Sequence, residues 1–313
     1  MKLSKRQRDL LRICALPGVP WNAIAREAQR PGGLERLLEG DVSEQGSEAR
    51  RARAALKKGL PHLDQADEKV AEAVALASSV GAKLTTALSE DDDYPINLRV
   101  IYNLPPFLFY RGHLRRDDAR SVAVVGTRRA SDEGLRRARK IAKALVDHRV
   151  TVLSGLASGI DAAAHTAALE AGGRTIAVIG TGILRSYPKE NAALQERIAK
   201  EGALVSQFWP DHPPTKTTFP MRNVVMSGMG QGTVVVEANS RSGAKMQARL
   251  ALEHRKHAFL LRTLVTSQDW ARDYLKRGAI EVRDVDDVLE HLRSAEQIES
   301  LNTLRRQLVL EPA

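Results

Sequence analysis

The sequence predicts an α/β protein with a Rossmann-like parallel sheet that is covered by helices on both faces. Short, almost continuously apolar runs recur after residue 120 and alternate with segments of helical periodicity; the runs are 122–125, 150–153, 175–179, 203–205, 233–236 and 257–261. Continuous apolar runs of this kind are typical of parallel strands buried on both faces. Right-handed crossovers then place the carboxyl ends of these strands at one edge of the sheet.

The remaining segments are predicted to be helical. Residues 1–80 form a small helical domain with a charged linker, because Pro17-Gly18 and Pro31-Gly32 interrupt apolar residues at helical spacing. Within it, 41–58 is predicted to be a surface loop that runs into a solvated helix. Residues 81–292 form the Rossmann-like domain, with its core at 120–262 and a loop at 89–93. Residues 293–313 form a helical tail, which either packs on its own domain or binds a partner.

Composition limits the class of protein. No apolar run approaches the ~18 residues that a membrane span needs, and the N-terminus lacks the apolar core of a signal peptide. We therefore expect a cytoplasmic protein without membrane contact. The single cysteine, Cys14, cannot form an internal disulfide, and we expect it to be buried. The formal charge of +10 favours polyanionic partners.

Three successive predicted strands end in small residues at the same edge of the sheet. Glycine lets a backbone approach an anion, and the start of the following helix offers unpaired N–H groups. Together with the basic pair Arg128-Arg129, these loops predict a phosphate-binding edge; the alternative is tight turns with arginines on a solvated face. The candidate residues are Gly126, Thr127, Arg128, Arg129, Ser131, Ser154, Gly155, Gly159, Gly180 and Gly182.

Other common sites are not indicated. The first loop, GTRRASDEG, differs from the dinucleotide pattern G-x-G-x-x-G, and no Walker lysine motif occurs. His165 has no second histidine or carboxylate pair at metal-ligand spacing, so we expect a packing role. Ser131 and Ser154 have no paired base, so nucleophilic catalysis is unsupported. We predict no cofactor, no metal site and no catalytic residue.

Six segments in this order resemble the DNA-processing protein A family (DprA/Smf): VAVVGTRRAS, VLSGLASGIDAAAH, GGRTIAVIGTGI, YPKEN, FPMRN and VVVEANSRSGA. The resemblance extends over residues 8–292. It implies an N-terminal domain of the SAM or helix–hairpin–helix type. It also implies a cytosolic homodimer that binds single-stranded DNA and delivers it to the RecA recombinase in natural transformation.

The resemblance also assigns roles to single residues. It implies that Arg128 contacts DNA, and that Lys189 and Arg222, with the neighbouring Asn223, are further DNA-binding candidates. Phe219 is a candidate for base stacking, and Trp209 is another aromatic of this region. The alternatives are surface charges or local ion pairs for the basic residues and loop-anchoring core positions for the aromatic ones.

The sequence departs from the family pattern at several points. Val224 replaces a second arginine, Gln207 replaces a glutamate, and 262–278 replaces a Pro-Gly and a Gly-Thr-Asn segment. The winged-helix domain that many members carry is not expected after the core. These departures predict a divergent member, so a role in a toxin–antitoxin or phage-defence pair stays open beside transformation.

Two other functions stay open. The segment 230–237 is similar to the signature of Rossmann-like nucleotide phosphoribohydrolases, in which Glu237 and Arg222 would cleave an N-glycosidic bond. The same glycine-rich edge could instead hold a nucleotide-derived signal without turnover, because a sensor and a DNA binder use the same phosphate-binding loops.

Overall fold

A computed structural model describes residues 1–88, 91 and 93–310, without the side chains of the last six. Residues 89, 90 and 92 of the predicted loop and 311–313 of the predicted tail lie outside the described residues. Within the described residues, nine strands form one sheet in the order β1-β2-β6-β5-β4-β3-β7-β8-β9. They are β1 (Lys83–Thr86), β2 (Phe107–Gly112), β3 (Ser121–Val125), β4 (Thr151–Ser154), β5 (Thr175–Val178), β6 (Ala203–Ser206), β7 (Gly232–Val235), β8 (His257–Leu261) and β9 (Ile280–Val282).

Helices cover both faces of this sheet. In the part of the chain that is described they are α1 (Lys5–Ala15), α2 (Trp21–Ala28), α3 (Gly33–Leu38), α4 (Ser47–Gly59), α5 (Leu63–Ser79), α6 (Asp132–Asp147), α7 (Ile160–Glu170), α8 (Ala192–Glu201), α9 (Thr218–Met229), α10 (Gly243–Glu253), α11 (Arg262–Ser267), α12 (Asp269–Leu275), α13 (Val285–Leu289) and α14 (Ala295–Leu310). Helix α4 is less solvated than its charge predicts, because Ala49, Ala52 and Leu56 line one buried face.

The Rossmann-like α/β fold is confirmed, and all six predicted strands are present. Strands β3 to β9 are mutually parallel. The difference from the prediction is an antiparallel edge, where β2 pairs with β6 and β1 pairs with β2. Side chains of β2 alternate between faces: Phe107 and Phe109 point towards the N-terminal helices, and Leu108 and Tyr110 towards the opposite core.

The N-terminal helices pack directly on the sheet. The ring centroid of Trp21 in α2 lies 5.0 Å from that of Phe107, which lies 4.9 Å from that of Trp209. Apolar residues of α1 to α5, including Cys14, share one buried cluster with β2 and β6. The predicted boundary at residue 80 falls between α5 and β1. Apolar residues on both sides of it belong to the same buried cluster.

The described part of the tail packs on the amino ends of the strands. Arg293 N donates to Gln231 Oε1, and Gln231 Nε2 donates back to Arg293 O, both at 2.9 Å. Further along α14, Asn302 Nδ2 donates to Asn97 Oδ1 at 3.0 Å, and both side chains are buried. The described part of the tail therefore lies at the edge of the sheet opposite to the carboxyl ends of the strands.

Two buried histidines make stability depend on pH. Burial lowers the pKa of His165 to about 3 and that of His254 to about 4. Since the unfolded chain binds protons at an ordinary pKa near 6.5, it holds more protons than the folded chain below that pH. The free energy of unfolding should therefore fall from pH 7 to pH 5, by up to about 1.4 kcal/mol per pH unit for each histidine.

Urea unfolding at several pH values measures this effect. The His254 ring accepts a hydrogen bond from Ser227 Oγ at 3.0 Å and donates one to Asn103 Oδ1 at 2.9 Å. Glutamine can also accept and donate, but it does not titrate, so His254→Gln removes only the titration. We expect a shallower pH slope in this variant. An unchanged slope would contradict the assignment to His254.

Candidate functional site

A groove lies at the carboxyl ends of the central parallel strands. The chain moves from β3 to β6 in one direction and from β7 to β9 in the other, so β3 and β7 flank the topological switch point where open α/β sheets bind ligands. Two cavities of about 630 and 850 Å³ open there, and Arg128, Ala157, Phe219 and Arg222 line both. We call these two cavities together the edge groove.

The first two glycine loops form the floor of the edge groove and pack closely on each other. Gly159 has a φ of +81°, and a Cβ there would lie 2.5 Å from Thr127 O and 2.7 Å from Arg128 O. A Cβ on Gly126 would lie 2.4 Å from Ile160 Cγ1. Thr127 N donates to Glu237 O at 2.7 Å, which fixes the first loop against the strand end of β7. Any larger side chain at either glycine would separate the loops.

Arg222 is a buried cation at the centre of the edge groove. Its Nη1 lies 3.4 Å from Val178 O and 3.9 Å from Asp161 Oδ2, and its Nε has no partner among the described residues. A Cβ on Gly155 would lie 1.1 Å from Nη1, so glycine makes room for the guanidinium. Burial lowers the pKa of Arg222, and Asp161 opposes this shift. Arg222 thus places a buried positive charge with an unpaired Nε at the centre of the edge groove, where a bound anion would neutralise that charge.

Asp161 supports this arrangement from the first turn of α7. Its Oδ2 accepts from Gly155 N at 3.2 Å and from Ala157 N at 3.4 Å, which orders the second glycine loop. Burial raises the pKa of its carboxyl group, and the nearby Arg222 lowers it. The Asp161 carboxylate therefore holds the second glycine loop by hydrogen bonds and lies close to the Arg222 guanidinium.

Five further cations line the edge groove without a carboxylate at ion-pair distance in the part of the chain that the structure describes: Arg128, Arg129, Arg185, Lys189 and Arg241. This differs from the exposed faces of α8 and α10, where Arg197 pairs with Glu201 and Arg249 pairs with Glu253. Cations without local partners leave their charge available to an external anion.

The loop that carries Lys189 is fastened to the second glycine loop. Asn191 Nδ2 donates to Leu156 O at 2.9 Å, and Ser158 Oγ donates to Glu190 Oε1 at 2.8 Å. Lys189 begins a short 3-10 helix (Lys189–Asn191) and lines the larger cavity. These two hydrogen bonds therefore fix the Lys189 loop relative to the second glycine loop of the edge groove.

Several residues predicted for the site take other positions. Ser154 is buried and its Oγ donates to Val124 O at 2.6 Å. A Cβ on Gly182 would lie 2.2 Å from Pro210 O, so this glycine packs against a neighbouring loop. Ser131 caps α6 by accepting from Gly134 N at 3.0 Å. Trp209 lies in the aromatic cluster under the N-terminal helices and not in the edge groove.

The other predicted residues line the edge groove, except Gly159, which packs against the first glycine loop and lines neither cavity. Gly126, Thr127, Arg128, Arg129, Arg222 and Asn223 line the smaller cavity, and Gly155, Gly180, Lys189 and Phe219 line the larger one. Phe219 lies against Gly180, where a Cβ would be 2.7 Å from its Cδ1, and the Arg128 Cζ lies 5.3 Å from its ring centroid.

Sequence reasoning missed Tyr187. Its side chain lines the larger cavity, and its ring centroid lies 5.5 Å from that of Phe219. The available signal was its position directly before Pro188 and Lys189 in the YPKEN segment, where an aromatic residue and a cation share one loop.

The phosphoribohydrolase hypothesis requires a free carboxylate at position 237. Glu237 is instead held by Ser131, whose Oγ donates to Oε2 at 2.7 Å and whose N donates to Oε1 at 3.2 Å. Its side chain does not line either cavity of the edge groove.

Across the described residues, no cluster of three metal-ligating side chains occurs, and no helix has the length and apolar character to cross a membrane.

Comparisons with known proteins identify the family. The family model for DNA recombination-mediator protein A matches residues 85–293. The DNA processing protein DprA of Streptococcus pneumoniae is 39% identical over 201 residues, which are 64% of this chain and 71% of that protein. Protein Smf of Escherichia coli is 38% identical over 208 residues, which are 66% of this chain and 56% of that protein.

Solved structures agree with these matches. The X-ray structure of the Streptococcus pneumoniae protein superposes with a TM-score of 0.71 at 29% identity, covering 94% of this chain and 99% of that one. The Helicobacter pylori DNA processing protein A, whose structure describes a single-stranded DNA binding mode, shares the fold with a TM-score of 0.60 at 23% identity, covering 68% of this chain and 98% of that one. The chain belongs to the DprA/Smf family of DNA recombination-mediator proteins.

Proposed function

We propose that this chain binds single-stranded DNA in the edge groove and has no catalytic activity of its own. The observation that carries the proposal is Arg222, a buried guanidinium with an unpaired Nε beside the glycine-loop backbone. A phosphate at this point would pair with Arg222 and approach the N-terminus of α7, where the helix dipole favours negative charge. Arg128, Arg129 and Lys189 would then contact neighbouring phosphates.

Membership in the family supports three further proposals. The chain acts as a cytoplasmic homodimer, it binds DNA during recombination or transformation, and it delivers the strand to a recombinase. The segment 262–278, which departs from the family pattern, forms α11, α12 and the turn before β9. Because its side chains differ from those of the family, a dedicated toxin or defence protein is the second candidate for the partner.

A nucleotide sensor is the alternative for the same groove. It would use Arg222 and the same loops, but it would need only one phosphate-bearing ligand. The two cavities and the spread of unpaired cations from Arg241 to Lys189 favour a polymer, since several phosphates are needed to pair with them. Catalysis through Glu237 is disfavoured because Ser131 already holds that carboxylate.

Fluorescence anisotropy with a labelled dT oligomer tests the proposal. We expect affinity to fall steeply with salt, because each neutralised phosphate releases counterions. Arg128→Glu should weaken binding by about tenfold or more, and it should reduce the salt slope by about one unit, the value of one lost phosphate contact.

Arg197→Glu is the matched control, because it makes the same change in net charge on α8, at a position paired with Glu201. It should leave the affinity near that of the unmodified chain. Equal losses in both variants would point to a general charge effect. Saturation by a mononucleotide that displaces the oligomer at equal concentration would favour the sensor.

A further inference from the structure

We propose that Tyr187 provides the outer base-stacking surface of the edge groove and gives the site its preference for unpaired bases. This inference rests on the proposed function and adds to it a residue that selects the nucleic-acid class. The juxtaposition that carries it is an exposed tyrosine, a half-buried phenylalanine in contact with it, a lysine on the same loop and an arginine over the phenylalanine ring.

The ring of Phe219 is partly covered by its neighbours. It is half-buried, it lies against Gly180, and the Arg128 guanidinium stands over its ring at 5.3 Å from the centroid. Tyr187 contacts it as well, with 5.5 Å between the ring centroids and 42° between the ring planes. Phe219 is therefore placed to support the Tyr187 ring and the Arg128 guanidinium, which take up part of its surface.

Tyr187 is more exposed to solvent than Phe219. Its residue is 41% exposed, and it lines the larger cavity. Tyr102 is also well exposed, at 57%, but it lines neither cavity of the edge groove. An aromatic side chain that remains exposed in a groove rich in cations is the arrangement by which proteins stack the bases of single strands.

The cations beside Tyr187 fit the backbone of a stacked nucleotide. Lys189 is two residues along the same loop, and the Arg128 guanidinium lies over the ring of Phe219, which Tyr187 contacts. A base on the Tyr187 ring would therefore have its phosphates close to both cations. In a duplex the bases are already stacked and paired, so this surface contributes only to the binding of a single strand.

The test compares two oligomers of equal length and charge, a dT oligomer and an abasic deoxyribose-phosphate oligomer. Tyr187→Ala should raise the Kd for the dT oligomer by about five- to a hundredfold, the range of base–aromatic stacking, and should leave the abasic oligomer almost unchanged. Tyr187→Phe should keep the affinity of the unmodified chain. Tyr102→Ala is the matched control and should change neither Kd.

The outcomes separate this inference from the proposed function. If the unmodified chain binds neither oligomer, the proposed function fails and this inference fails with it. If it binds the dT oligomer but Tyr187→Ala binds equally well, only the stacking role is wrong. An equal loss on both oligomers would mean that the substitution disturbs the loop and its phosphate contacts, and it would also overturn the stacking role.

Discussion

Replacing Arg222 with glutamine is expected to weaken the binding of a dT oligomer by about 30-fold or more, a larger loss than for any exposed cation of the edge groove. Removing one member of a buried, hydrogen-bonded charge pair costs about 2–5 kcal/mol, and 1.4 kcal/mol is tenfold in Kd. Arg222 is buried and has an unpaired Nε, so a phosphate bound there would be largely removed from water. The salt slope and the Kd are measured together by anisotropy.

The same change also affects folding, and the design must separate the two effects. Arg222→Gln leaves the buried Asp161 carboxylate without the cation that lies 3.9 Å away. The double variant Asp161→Asn/Arg222→Gln removes both charges and should recover much of the lost stability. We expect it to remain unable to bind the oligomer tightly. Recovery of affinity in the double variant would mean that Arg222 acts through Asp161 and does not contact phosphate.

Gly182→Ala is expected to destabilise the protein by about 3 kcal/mol without weakening oligomer binding by the folded fraction. A Cβ at this position would lie 2.2 Å from Pro210 O and 2.3 Å from Trp209 O, both of which are backbone atoms. Gly182 N also donates to His212 O at 2.8 Å, so the loop cannot move away without losing that bond. Thermal and urea unfolding measure the change in stability.

Gly243→Ala serves as the control for this glycine substitution. No atom lies within 4 Å of a Cβ built there, and the residue begins α10, where alanine suits the helix better than glycine. Its stability should stay within about 0.5 kcal/mol of the unmodified chain or rise slightly. If Gly182→Ala lost DNA affinity at temperatures where it is fully folded, Gly182 would belong to the binding site as the sequence predicted.

The parallel core could be predicted from the sequence because each strand is a local signal. A buried run of β-branched residues followed by a helix defines its own place in the fold, as at β3 and α6. The antiparallel edge carries no such signal. The partner of Phe109 is Ser206, and nothing between Pro105 and Gly112 indicates that β6 will lie beside β2. Pairing between distant segments depends on the whole topology.

The floor of the candidate site was predictable in part. Glycines after strands were predicted to let the backbone approach an anion, which stays a prediction; the structure shows close approaches at these glycines that have more than one cause. At Gly155 the neighbour is the Arg222 guanidinium, whereas at Gly182 it is the backbone of the loop after Trp209. Glycine after a strand therefore makes room for a guanidinium in one loop and for a neighbouring backbone in another. The sequence does not show which of the two rings is covered, so it could not favour Tyr187 over Phe219 as the base-stacking residue.

The pairing of β2 with β6 has a consequence for the order in which the chain folds during synthesis. The N-terminal helices and β2 leave the ribosome early, but β6 and Trp209, which complete their packing, follow only after β3, β4 and β5. Until then the Phe107 and Phe109 side chains lack part of their final cover. Closing so long a loop costs entropy before any contact is gained. The nascent chain thus exposes an apolar strand for an extended period, the kind of intermediate that molecular chaperones protect.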